Sequence, residues 1–142
     1  MIEKPEYIKL ANEIVSLDGV AAVKKTNDGK EFDIYYKFGS RDMFVKRITP
    51  LAVNNTQPSV VMCNKVWKPF IGRLRAKYKD LLPIGKHIVL RTDFILSVKQ
   101  NPDNSIVIMF QDEIDFALQF SAKVVANNKM AVISNALLKN NQ

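Results

Sequence analysis

The chain has 142 residues, of which 47% are hydrophobic and 25% are charged, and its formal net charge is +7. A chain of this length can bury roughly two thirds of its unfolded surface, so it can form a core without disulfide bridges. One cysteine, Cys63, excludes an internal disulfide, and one cysteine with one histidine cannot form a zinc site of the usual nitrogen and sulfur ligands. We therefore expect a single soluble domain over residues 1–142, with no metal ligands and no cofactor.

The sequence also gives no sign of export or membrane insertion. Its start, Met1 to Pro5, has no basic region followed by an apolar run, and no stretch reaches 18 apolar residues. We therefore expect a cytoplasmic protein that does not bind membranes.

The first third of the chain predicts one helix followed by three strands. Apolar residues recur at intervals of three and four over residues 5–17, and Asp18 and Gly19 supply a stop, which predicts an N-terminal helix. In residues 31–38 the apolar side chains alternate, which is typical of a strand with one buried face. The Asp28–Gly29 turn precedes it, so we expect residues 20–26 and 31–38 to form a hairpin that continues to a third strand at 43–48.

A polar loop and a basic helix occupy the middle of the chain. Residues 49–58 contain two prolines and no periodicity, which makes this loop a possible internal boundary. Pro69 disfavours helical geometry at the residue before it, so a helix is predicted to begin there and to end before Pro83. Gly72 lies inside this helix, where it costs stability; it could mark the close approach of a partner or of another strand, or it could be neutral drift near the helix start.

The C-terminal half is predicted to form a second antiparallel sheet. Strands are expected at 87–91, 94–99 and 105–111, and the last of these is apolar on both faces, which places it in the middle of the sheet. In residues 112–125 the alternation of apolar and polar side chains favours a strand, whereas the residues at the two ends of this segment are typical of a helix. We favour the strand, turned back at Asn127–Lys129 into another at 130–134. The predicted class is therefore α+β: an N-terminal helix, an antiparallel three-stranded meander, a central basic helix at 69–82 and a C-terminal antiparallel sheet.

The basic residues are concentrated in the middle of the chain. Residues 59–91 contain eight lysines and arginines and a single acid, Asp80. Because each neutralised phosphate releases counterions, such a segment attracts polyanions. We therefore predict a non-enzymatic nucleic-acid-binding protein that uses Lys65, Trp67, Lys68, Arg73, Arg75, Lys77, Lys79, Lys86 and Arg91.

The aromatic side chains among these charges suggest the kind of nucleic acid. Stacking of unpaired bases on Trp67 would favour single strands over duplexes. However, Arg73 and Lys77 flank one edge of the apolar arc and Arg75 and Lys79 flank the other. This arrangement is also typical of a solvated amphipathic helix whose long side chains extend into water.

Two other functions fit the same sequence. The first is a protein-interaction or assembly subunit, of viral or phage type, whose basic residues face an acidic partner. The second is a metal-dependent nuclease, because Asp93, Asp112 and Glu113 would meet at one end of the predicted sheet and clustered acids can hold Mg²⁺. An ion pair between Arg91 and Asp112 would explain these residues without a metal. We predict no catalytic residue: Cys63 lies in an apolar stretch, and His87 has no nucleophile that the sequence places near it.

Overall fold

The structure is a computed structural model that describes residues 4–39, 42–52, 54, 56–110 and 115–139. The chain divides into two compact units, residues 1–90 and residues 91–142. The loop at 49–58, predicted as a possible boundary, lies inside the first unit. The single-domain prediction concerns cooperative folding and stays a prediction.

A β-hairpin begins the first unit, so the predicted N-terminal helix is wrong. Strands β1 (Tyr7–Leu10) and β2 (Glu13–Ser16) pair antiparallel around a two-residue turn, where Ala11 adopts a φ of 55°. Tyr7 and Ile14, which helical spacing assigned to the buried stripe, are 57% and 67% exposed. The apolar residues at intervals of three and four are in fact shared between two strands, each with its own alternation.

A five-stranded sheet forms the centre of the first unit. Its strands follow the order β5-β4-β3-β7-β6. Their bounds are β3 (Val20–Lys25), β4 (Phe32–Tyr36), β5 (Phe44–Ile48), β6 (Leu81–Ile84) and β7 (Ile88–Arg91). Strands are therefore present near the three predicted positions, but they do not form a separate meander. The pairing of β3 with β7, with Val23 opposite Val89, joins them to the segment that follows the central helix.

The central helix, α1 (Val60–Lys77), begins well before Pro69, so its predicted start and end are wrong. Ser59 caps it: its side-chain oxygen accepts the Met62 N–H at 3.1 Å. Burial continues on one side of the helix from Cys63 to Leu74. This packing outweighs the roughly 3 kcal/mol that an interior proline costs relative to alanine. The helix and the β1–β2 hairpin pack into one core with the sheet.

The second unit is a three-stranded antiparallel sheet covered by a helix. After a 3₁₀ turn (Thr92–Phe94), the strands β8 (Ile95–Gln100), β9 (Ser105–Phe110) and β10 (Asp115–Gln119) are ordered β10-β9-β8, so β9 lies in the middle. Helix α2 (Lys123–Leu138) packs against β9. The strand predicted at 130–134 is therefore wrong, and within the strand predicted at 112–125 the described residues form a strand only at 115–119.

These elements overturn the predicted α+β class. The described residues form ten strands in three sheets and two helices, which makes the protein mostly β-sheet.

Candidate nucleic-acid interface

A groove lined by basic side chains lies between α1 and the turn that joins β6 to β7. It has a volume of about 520 Å³. Five basic residues line it, and we call this the basic groove: Lys25, Lys68, Arg75, Lys86 and His87. Among the residues that the structure describes, no acid lines this groove.

The helix supplies one wall of the basic groove because of its residue spacing. Asn64, Lys68, Ile71 and Arg75 follow one another at intervals of four, three and four, so their side chains lie on the same side of α1. Lys68 and Arg75 are exposed. Two of the predicted contacts therefore come together on this wall.

The opposite wall is the turn at residues 85–87. Gly85 adopts a φ of 66°, which glycine tolerates without strain, and Lys86 and His87 follow it with exposed side chains. The carbonyl of His87 accepts the N–H of Lys25 at 2.8 Å, which fixes the turn to the end of β3. A third predicted contact, Lys86, thereby joins the groove.

Lys25 is the most deeply placed cation of the groove. Its side chain points to the same face of the sheet as Val23 and Phe32, and the residue is only 9% exposed. The ammonium donates to Oδ1 of Asn64 at 2.8 Å and lies 4.8 Å from the centroid of the Trp67 ring. Both contacts are with neutral groups, and within the described ranges no carboxylate forms an ion pair with Lys25.

Trp67 belongs mainly to the core. It is 8% exposed, and its ring meets Phe32 edge-on at a centroid distance of 5.4 Å. The face of its indole ring also attracts the ammonium of Lys25, and this contact is the one polar role that we give to Trp67.

Other predicted contacts are neutralised by acids outside the groove. Lys77 lies 2.9 Å from Glu6 and 2.9 Å from Asp18, and Arg73 lies 3.9 Å from Glu6. The hydrogen bond from Lys77 lowers the pKa of Asp18, and the same bond raises the pKa of Lys77. These ion pairs join the end of α1 to the segments that flank the β1–β2 hairpin.

The remaining predicted contacts lie elsewhere. Lys65 and Lys79 are exposed but do not line the basic groove. Arg91 is 4.0 Å from Asp93 and its guanidinium carbon is 4.8 Å from the centroid of the Phe94 ring. The charge run therefore does not form one continuous track.

The structure adds three residues that the sequence did not single out for binding: Lys25, Asn64 and His87. The sequence did carry a signal for Lys25, since pairing residues 20–26 with 31–38 around the Asp28–Gly29 turn places Lys25 opposite Phe32 on the buried face. Asn64 and His87 had no such signal, because their role depends on how α1 and the β6–β7 turn pack.

The acids of the nuclease hypothesis are only partly described. Asp112 and Glu113 lie outside the described residues, and Asp93 is exposed. Elsewhere in the described chain, no group of three or more histidine, cysteine, aspartate or glutamate side chains is placed to hold a metal ion. Cys63 is buried, and burial raises the pKa of its thiol, which disfavours the reactive thiolate.

Neither helix in the described part of the chain is long and apolar enough to span a membrane.

Comparison with known proteins does not assign a family. No protein-family model matches the sequence, and no curated protein matches it. One solved structure, described as a LytTr DNA-binding domain of a response regulator from Bacillus cereus, aligns over 92% of this chain and 97% of its own, with 5% identity and a TM-score of 0.48. A likeness of this degree assigns this chain neither a fold family nor a ligand.

Proposed function

We propose that this chain binds nucleic acid by receiving backbone phosphates in the basic groove. The observation that carries the proposal is the ammonium of Lys25, a residue only 9% exposed, whose contacts in the described chain are an amide oxygen and an aromatic ring. Removing a charge from water costs several kcal/mol unless an opposite charge compensates. A phosphate oxygen in the groove would supply that charge.

The exposed cations around Lys25 suit a ligand that carries several phosphates. Lys68 and Arg75 lie on one wall and Lys86 on the other, where the imidazole of His87 adds a hydrogen-bonding group. Arginine can bind a phosphate through two parallel hydrogen bonds, while lysine acts as a mobile point charge. Because no acid among the described residues lines the groove, these side chains are available to an anionic backbone.

The proposal narrows the predicted contact set. Of the predicted cations it keeps Lys68, Arg75 and Lys86, and it adds the cation Lys25 and the imidazole of His87. Trp67 is only 8% exposed, so its ring offers no surface on which a base could stack. We therefore assign it another role, in which the face of the ring holds the ammonium of Lys25. The predicted preference for single strands rested on stacking at this ring, so the groove supports phosphate contact with either single or double strands.

Fluorescence anisotropy with labelled single- and double-stranded oligonucleotides tests this function. We expect binding at low salt that weakens as salt increases. Each of the substitutions Lys68→Ala, Arg75→Ala and Lys86→Ala should lower the affinity and reduce the slope of log K against log salt by roughly 0.7 to 0.9, since each removes one phosphate contact.

Lys65→Ala is the matched control, because Lys65 is exposed on the same helix but does not line the groove. It removes the same charge and should leave the salt slope unchanged. Absence of binding at low salt would reject the nucleic-acid function. Equal effects from Lys65→Ala and Lys68→Ala would reject the groove as the site, and tighter binding of polyglutamate than of oligonucleotide would favour an acidic protein partner.

A further inference from the structure

The position of Lys25 limits the kind of nucleic acid that can reach it. Lys25 lies on the core face of the sheet, between α1 and the β6–β7 turn, and it is only 9% exposed. Beside it the groove is lined by Trp67, Ile71 and Val89, which are buried members of the core. A phosphate that pairs with the Lys25 ammonium must therefore enter between the two walls of the groove.

The dimensions of the basic groove suit one nucleotide better than a duplex. Its volume of about 520 Å³ lies within the roughly 300–1,000 Å³ of pockets that hold small organic ligands. A duplex is stiff over about 150 base pairs, so it turns a nucleotide into such a pocket only by breaking a base pair. A single strand is flexible and places an unpaired nucleotide there without that cost.

One end of the groove, which we call the phosphate end, consists of Lys25, Asn64 and Lys68. Asn64 and Lys68 are one turn apart on α1, and the amide oxygen of Asn64 holds the Lys25 ammonium at 2.8 Å. Two ammonium groups therefore serve this end of the groove. No acid among the described residues lines the groove, so none competes with a phosphate there.

The other end, which we call the base end, consists of Ile71, Arg75 and Pro83. Ile71 and Arg75 continue the same side of α1, and Pro83 of β6 adds an exposed apolar ring. The base end begins about 10 Å along the helix from Asn64, which is comparable with the length of an extended nucleotide. A guanidinium plane stacks on bases through its face and keeps its edge for a neighbouring phosphate.

The combination of the two ends favours a nucleotide over other anions. Inorganic phosphate and acidic peptides are held by cations alone, so they would leave the apolar surface of Ile71 and Pro83 without a partner. A nucleotide carries both an anionic group and a planar base with apolar faces. It is therefore the ligand whose chemistry matches both ends of the groove.

We propose that the basic groove holds one unpaired nucleotide of a single strand, with its phosphate at the phosphate end and its base between Arg75 and Pro83. The inference rests on the proposed function, because it names the nucleic acid that the same groove receives. Two consequences follow: the chain prefers single strands to duplexes, and it binds a free nucleotide such as AMP in the groove.

Calorimetric titration of the full chain with AMP and with ribose 5-phosphate at low salt tests the base end. We expect AMP to bind about tenfold more tightly, since only AMP carries a base. Trp67 lines the groove and is the only tryptophan, so its emission should change on titration with AMP when it is excited where adenine does not absorb. Equal affinities for the two ligands, or no binding of AMP, would overturn the inference.

Substitutions at each end locate the ligand. Lys68→Ala, at an exposed position, should weaken the binding of both ligands, whereas Lys65→Ala should not. Pro83→Ser should reduce the difference in affinity between AMP and ribose 5-phosphate. Pro102→Ser is its matched control, because Pro102 is exposed and does not line the groove. AMP affinity that is unchanged by Lys68→Ala and Pro83→Ser would place the nucleotide elsewhere and overturn the inference.

Fluorescence anisotropy with a single strand and with the duplex of the same sequence separates this inference from the proposed function. At equal salt the single strand should bind about tenfold more tightly, because the duplex must first open a base pair. If both bind equally and Lys68→Ala weakens both, the unpaired nucleotide is overturned and the phosphate-binding function stands. If neither binds, both proposals are overturned.

Discussion

Lys25 occupies a position that its strand would otherwise give to an apolar residue. It lies opposite Phe32 and on the same face as Val23, both of which belong to the core. An ammonium at such a position lowers stability unless a partner compensates the loss of water. Asn64 and Trp67 compensate only in part, because neither carries a negative charge.

Lys25→Met should therefore separate stability from binding. Methionine has a similar length and fills the same space without a charge, so the substitution removes the cost of taking the ammonium out of water. We expect a free energy of unfolding in urea that is equal to or higher than that of the wild type, together with a loss of oligonucleotide affinity.

Lys65→Met provides the comparison for this substitution. At an exposed position the change in the free energy of unfolding should stay within about 0.5 kcal/mol. If Lys25→Met lowers stability strongly and leaves oligonucleotide affinity intact, Lys25 has a structural role and the basic groove loses its central cation.

The basic residues of the central segment show which parts of the site could be predicted from the sequence and which could not. The charge run pointed to Lys68, Arg75 and Lys86, which line the groove, because they all belong to one dense segment. It also pointed to Arg73 and Lys77, which Glu6 and Asp18 neutralise. These acids come from a distant part of the chain, so the pattern of charges around the helix could not show the pairing.

Helix α1 is an element whose tertiary packing overrides local preference. Pro69 predicted a helix start, yet the apolar residues before it bury the same side as those after it, and Ser59 caps the helix at an earlier point. The alternation of apolar and polar residues over 114–122 led to a different error, because it extended a predicted strand into a segment that forms a helix. It described β10 correctly but could not show that the chain would form a helix from Lys123, since the covering contact with β9 is not local.

Gly72→Ala should stabilise α1. Gly72 is exposed inside the helix, and a Cβ added there would meet nothing within 4 Å. Alanine restricts the unfolded chain more than glycine does, so the free energy of unfolding should rise by roughly 0.5–1 kcal/mol. Chemical denaturation of both proteins measures the change.

Gly19→Ala should have the reverse effect and serves as the contrast. Gly19 has a φ of 76°, and an added Cβ would lie 2.5 Å from the Phe38 ring. Both backbone strain and a clash would then lower stability. A destabilising Gly72→Ala would contradict this account.

At the scale of the whole molecule, each compact unit has its own buried apolar residues. In the first unit these include Phe32, Phe70 and Leu74, and in the second Phe110 and Phe116 meet edge-on at 5.1 Å. The second unit comprises about fifty residues and contains no cysteine that could form a disulfide. Such a small core is marginal by itself.

Chemical unfolding of the full chain should therefore be a single cooperative transition, as the prediction of one domain requires. Fluorescence of Trp67, the only tryptophan, follows the first unit, whereas far-UV circular dichroism follows both units and includes α2. If the units depend on each other, the two signals give the same midpoint and the same m-value. A dichroism signal that decreases before the fluorescence changes would show that the second unit unfolds alone and that the chain has two domains.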